Sequence, residues 1–142
     1  MKLCDDAQYQ AELPSVLYVW MQLCWRRGDY ELAKQYGERS IALFKTTGGR
    51  KSQAYALEYL MRVYQDLQDY VLAEEKGKQS LALLQELGDD WGVVYGLRGL
   101  GKLYKGTDRL DEANKTWTEA LHKAEASNHP LREELRILLN EP

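Results

Sequence analysis

Cysteine is scarce in this 142-residue chain, with Cys4 and Cys24 alone. Two thiols cannot build a disulfide framework or a four-thiolate site, and a reducing compartment suits them. Histidine is as scarce: His122 and His129 leave a zinc site poorly supplied, so no metal and no cofactor are expected. No apolar run approaches the 18 residues of a membrane span, and the N-terminus reaches Asp5 and Asp6 before a signal-peptide core could form. The chain therefore reads as soluble and cytoplasmic. An excess of one charge is missing too. Nineteen Lys and Arg against 22 Asp and Glu give a net charge of −3, which supplies no global field for nucleic acid or an anionic membrane.

What the chain does have is self-similarity. Shifted by 40 residues, Gly28-Asp29-Tyr30-x-x-Ala33 falls on Gln68-Asp69-Tyr70-x-x-Ala73 and then on Asp108-Arg109-Leu110-x-x-Ala113. Downstream, Ser40-Ile41-Ala42-Leu43 meets Ser80-Leu81-Ala82-Leu83; upstream, Leu17, Leu57 and Leu97 coincide, as do Trp20, Leu60 and Leu100. Within each repeat the spacing is helical, Leu57, Leu60, Met61 and Tyr64 marking one stripe and Ala73, Gly77, Ser80, Leu81 and Leu84 the next. Pro14, Asp89 and Asp90 mark helix starts, while Gly48-Gly49 and Gly88 mark stops. The pattern predicts helix pairs at 14–27 with 30–46, 54–67 with 70–87, and 94–106 with 110–126. Pro130 opens a short seventh helix ending near Asn140.

These residues resemble the tetratricopeptide repeat. The resemblance covers about residues 14–133 and implies an all-α fold, an α-solenoid of three helix pairs with a C-terminal capping helix. A single repeat domain over 1–142 then divides into an arm (1–13), repeats at 14–53, 54–93 and 94–133, and a cap at 130–140. Large apolar sites fall on Leu17, Leu57, Leu97, Trp20, Leu60 and Leu100; small sites fall on Gly101, Ala33, Ala73, Ala113 and Ala120. Met21 and Met61 stand where Gly101 supplies the small residue, and Cys24 replaces an aromatic. The 40-residue period is similar to the long branch found in kinesin light chains, polarity adaptors and sensor regions of bacterial signal-transduction regulators.

In that family the face of each first helix opposite the core lines a concave groove. At about 100° per residue, this face carries Tyr18, Gln22, Trp25 and Arg26; Tyr55, Glu58, Tyr59, Arg62 and Gln65; and Tyr95, Arg98, Lys102 and Lys105. Such aromatics either pack against neighbouring repeats or meet a ligand; Tyr, Trp and Arg are the residue types concentrated at binding hot spots. The stretch Val94–Gly106 carries Arg98, Lys102 and Lys105 and no acid. Those cations are either a solvated face or a floor for the carboxylates of a peptide. No Asn occupies the matching positions, which disfavours a C-terminal carboxylate clamp and leaves an acidic peptide or partner helix.

Other chemistry is missing. Gly96–Lys102 fits G-x-x-x-x-G-K but ends at Leu103, where a phosphate loop needs Ser or Thr, and the repeat register makes it helical. Gly92, Gly96, Gly99 and Gly106 each weaken a helix by about 1 kcal/mol, so either a neighbour or a bound partner comes close. His122 and His129 default to the surface, Cys24 to the core. Asn114-Lys115-Thr116 is a glycosylation triplet within a helix. Trp117 takes the site held by Gly37 and Gly77 and is expected to plug the end of the stack. The expectation is a protein-binding module, not an enzyme, working as adaptor or sensor in a larger regulatory system. The alternative is a self-association module: residues 1–13 cap poorly, leaving an apolar side of Val16, Leu17 and Trp20 for a second copy or an upstream part.

Overall fold

The computed structural model describes residues 13–140. Seven helices follow in order: α1 (Leu13–Arg26), α2 (Tyr30–Thr47), α3 (Arg50–Asp66), α4 (Tyr70–Glu86), α5 (Asp90–Gly106), α6 (Leu110–Ala126) and α7 (Arg132–Asn140). No strand occurs among the described residues. Two helices begin four residues before their predicted starts, α3 at Arg50 rather than 54 and α5 at Asp90 rather than 94. The reason lies in the caps. Gly48 closes α2 with a left-handed backbone and Gly49 directly starts α3, while the Asp89 carboxylate accepts the Gly92 N–H at 2.9 Å.

The turns obey a shorter period than the sequence does. Positive φ falls on Gly28, Gly48, Gln68, Gly88, Asp108 and Asn128, one every twenty residues. After each, the next N–H closes on a carbonyl five residues back: Asp29 on Cys24, Gly49 on Phe44, Asp69 on Tyr64, Asp89 on Leu84, Arg109 on Tyr104 and His129 on Ala124. This is the six-to-one bond of a Schellman ending, and it satisfies a carbonyl that the helix end would leave without a partner. A left-handed conformation costs an L-residue roughly 1–2 kcal/mol, and Asn and Asp tolerate it better than Gln. Gln68→Gly is therefore expected to stabilise the protein by about 1 kcal/mol, raising Tm by roughly 3–4 °C. Thermal unfolding followed by circular dichroism checks this; an unchanged or lower Tm refutes it.

Residue contacts divide the chain into two compact units, Met1–Lys76 and Gly77–Pro142, with the boundary inside α4. In the first unit, Leu17, Met21, Ala33, Ala54, Leu57, Leu60, Met61 and Val63 are buried to within 2% of completely. Ser40, also buried, donates its hydroxyl to the Pro14 carbonyl at 2.8 Å, tying α2 to the first turn of α1. Trp20, placed in the core by the repeat pattern, is only half-buried and stands edge-on to Tyr36 at 5.4 Å. Cys24 is likewise half-buried, lining a hollow of about 280 Å³ with Trp20, Leu23, Arg27, Leu32 and Tyr36. Of the expected bare apolar side, Leu17 is buried and Val16 exposed.

In the second unit, Leu84, Val93, Val94, Leu97, Leu100, Leu103, Ala113, Ala120 and Ala124 form the core with Trp117. Trp117 is wholly buried because Gly101 makes room for it: a Cβ on Gly101 would lie 2.1 Å from the indole Nε1. The indole N–H reaches the Arg98 carbonyl at 3.3 Å. In the first unit the sizes are exchanged. There Met21 lies against Gly37, whose Cβ would stand 2.6 Å from the Met21 sulfur. Of the other helical glycines, Gly92 is held close to Asp89 and Leu84, whereas at Gly96 a Cβ would meet Leu81 at an ordinary 3.6 Å, so packing accounts for the first and not for the second.

Candidate functional site

Within the first unit, the predicted groove residues converge on Tyr59. Tyr18 from α1 stands edge-on to its ring, with centroids 5.7 Å apart at 87°, and Trp25 does so at 6.2 Å and 80°. T-shaped pairing places the positive edge of one ring against the negative face of another. The Arg62 guanidinium lies 5.0 Å from the Tyr59 centroid and bonds Glu58 at 3.0 Å, one helical turn away. Glu58 is buried, and Arg62 is the partner that makes its charge tolerable there. Burial pushes the Tyr18 phenol up to about 12, with Tyr59 and Glu58 adding to it, so the hydroxyl keeps its proton. Gln22, Tyr55 and Gln65 are half-buried on the same two helices, and Arg26 is exposed.

Asp66 belongs to this cluster and was not among the predicted residues. Its carboxylate accepts the Trp25 indole N–H at 2.6 Å, bridging α3 to α1. It sits at the repeat position that Arg26 holds in α1, so the forty-residue register contained the signal.

In the second unit two of the predicted cations have a partner within the chain. The Glu134 carboxylate of α7 sits 3.0 Å from Arg98 and 3.6 Å from Lys102. Burial alone would raise this carboxyl, but the Arg98 hydrogen bond and charge, with Lys102 behind them, hold it below its ordinary value. Arg98 also lies over the Tyr95 ring at 5.4 Å. Lys105 turns elsewhere, its ammonium 6.0 Å from the Trp117 ring. Two of the three cations thus share one carboxylate. The signal was faint: Glu134 lies forty residues after Val94, on a segment read only as a cap.

His129 corrects a further expectation, since it is fully buried rather than at the surface. It follows the left-handed Asn128 in the last turn, at the register position of Asp89 and Gly49, so its ring is carried inward. Trp91 lies 4.2 Å from the imidazole and Tyr95 4.9 Å. Nδ1 accepts the Leu131 N–H at 3.1 Å, which leaves Nε2 to carry the proton toward the Trp91 carbonyl at 3.3 Å. Burial lowers its pKa and Arg98 lowers it further, against the opposing bond to Trp91. His122 is exposed on α6.

No chemistry of a phosphate loop is available at Gly96–Lys102, which is helical throughout α5. Among the described residues, no three His, Cys, Asp or Glu side chains gather where they could hold a metal. No described helix is long and apolar enough to cross a membrane.

No family model matches the sequence, and no curated protein matches it significantly. Solved structures do. BtubC from P. vanneervenii superposes over 82% of this chain with a TM-score of 0.76 at 20% identity, the match covering 48% of BtubC. The TPR domain of Arabidopsis FLU matches 82% of the chain and 98% of that domain, with a TM-score of 0.77 at 15% identity. The N-terminal domain of stress-induced protein-1 from C. elegans matches 94% of the chain and 98% of its own length, with a TM-score of 0.71 at 12% identity. This chain therefore spans about half of BtubC and nearly all of the other two. Seven helices joined by uniform turns, with small residues at the close approaches and these structural neighbours, give the chain the fold of tetratricopeptide-repeat proteins.

Proposed function

We propose that the chain is a protein-interaction module that binds an acidic peptide or partner helix on the exposed faces of its first helices, as adaptor or sensor in a larger cytoplasmic regulatory system. One observation carries the reading: Arg98 and Lys102 already hold a carboxylate presented by a helix, that of Glu134. The surface thus has the spacing and charge to take a helix-borne acid. Tyr95 beside Arg98, and the Tyr18, Trp25, Tyr59 and Arg62 cluster in the first unit, supply the aromatic and guanidinium groups typical of hot spots. Loss of a desolvated charge pair costs a complex about 2–5 kcal/mol. Replacing Arg98, Lys102 and Lys105 by Glu is therefore expected to lower capture of a specific partner from lysate by at least about tenfold. Circular dichroism verifies that the variant is folded. Unchanged recovery of the same partners by the folded variant removes the reading.

Self-association is a second reading, favoured by the outer face of α1. Val16 and Leu23 are 41% and 49% exposed, whereas Ala56 and Val63, their equivalents one repeat on, are fully buried. A core-type stripe is thus uncovered among the described residues. Val16→Glu with Leu23→Glu should convert an oligomer to a monomer in light scattering; a monomeric wild-type protein at high concentration ends this reading.

A further inference from the structure

Helix α7 is the least anchored of the seven among the described residues. At nine residues it is below the length at which a helix persists alone in water, so docking is what keeps it helical. Leu135 is its one fully buried side chain, whereas α6 buries Ala113, Trp117, Ala120 and Ala124. Ile137 is left 60% exposed. Three consecutive residues make docking contacts, each of a different kind. Glu134 meets Arg98 and Lys102 on α5, Leu135 is buried, and Arg136 reaches Glu125 on α6 at 2.9 Å.

We infer that the surface of α5 and α6 beneath α7 is an acceptor for a partner helix bearing an acid, a leucine and a base in succession, and that α7 is a built-in occupant which such a helix displaces. This rests on the partner-binding reading above and specifies its chemistry. The cations must be matched by a carboxylate, since Arg98 is half-buried and would otherwise be desolvated without a counter-charge. The buried place of Leu135 requires an apolar side chain beside that acid. Glu125 then selects a base on the opposite side. Pro130, just before α7, resists joining the helix to the preceding turn, so α7 can leave while α6 stays intact. An internal occupant lowers apparent partner affinity by the fraction of time it is docked, and a partner must exceed that cost to bind.

The test uses the full chain and a fluorescein-labelled synthetic peptide of residues 129–142, read by anisotropy. Wild-type protein is expected to bind it weakly, and the Glu134→Gln, Leu135→Ala variant about tenfold or more tightly, because its own α7 no longer competes. Arg98→Glu with Lys102→Glu should abolish binding, as should the same two α7 substitutions placed in the peptide. Hydrogen exchange is expected to quicken at 132–140 alone in the double variant; if loosening spreads further, Glu134→Gln alone serves, with a smaller gain. Equal affinity for wild type and variant, absence of binding to both, or binding indifferent to the peptide's acid and leucine overturns the inference. The two readings fail separately. Partner capture that needs Arg98 and Lys102 but does not rise in the α7 variant rejects the internal occupant alone; peptide binding as described with capture unaffected by the cations rejects the partner reading alone.

Discussion

Gly101→Ala is expected to destabilise the protein by about 2–3 kcal/mol and lower Tm by roughly 10 °C. The added methyl would meet the Trp117 indole at 2.1, 2.4 and 2.6 Å, all side-chain atoms of one rigid ring that is itself completely buried. Alanine in place of glycine contributes about 1 kcal/mol of helix propensity in the other direction, which the clash exceeds. The same substitution at Gly37 should be much milder, near neutral to about 1 kcal/mol destabilising. There the close atoms are the Met21 sulfur at 2.6 Å and a Leu60 methyl at 2.9 Å, both far ends of flexible chains. Urea unfolding of both variants measures the contrast, and equal losses would refute the size-exchange account. Trp117→Gly alone should cost about 4 kcal/mol. Adding Gly101→Met to it rebuilds the Met21–Gly37 arrangement and should recover a substantial part, appearing as a coupling of about 1–2 kcal/mol.

The second large effect concerns acid. His129 has a folded-state pKa below its ordinary value of 6.5, because burial and Arg98 disfavour its cation. Above pH about 6.5 neither folded nor unfolded chain carries this charge, and His129 leaves stability independent of pH. As pH falls below that value the unfolded chain takes the proton first, so stability declines until pH passes the folded pKa. Glu134 adds a lower window. Its folded pKa is also depressed, so its contribution is complete above about 4.5 and is lost as pH falls through the folded value. Acidification is thus expected to loosen the C-terminal end in two steps, visible as faster hydrogen exchange in α7 before global unfolding. His129→Gln should abolish the upper step and cost about 1–3 kcal/mol at neutral pH by removing bonds to Leu131 and Trp91. An unaltered pH profile in that variant would show that another group titrates.

Repeat-level features were legible because they rest on residue size and hydropathy. Ala33, Ala73 and Ala113 are all fully buried, and the forty-residue match placed each of them. Helix starts were misplaced at α3 and α5 because the repeat's formal first position is a convention, whereas the backbone obeys the local cap at Gly49 or Asp89. The twenty-residue turn was invisible for a related reason. Gly28, Gly48 and Gly88 announce their conformation, but Gln68, Asp108 and Asn128 adopt it without a glycine to mark it. At the candidate site, one helix's face could be read from periodicity, and the aromatic and basic residues were named from it. What each would be paired with could not, since Asp66, Glu134 and His129 arrive from other elements or turns. Charge counting within α5 left its cations as either a solvated face or a floor for a peptide's carboxylates, and it could not foresee that a carboxylate 36 residues after Arg98 pairs with that residue.

Uniform turns also bear on how such a chain can change length. Because Gly48 and Gly88 present the same backbone ending to the helices that follow them, excising or duplicating the forty residues between them joins geometries already matched. Growth or shrinkage by whole repeats then leaves every junction intact. The side chains set the constraint instead: Met21 is fitted to Gly37 and Trp117 to Gly101, so each of these pairs must move as a unit. Recombination between repeats of this chain should therefore succeed at the turns and fail when it separates either pair.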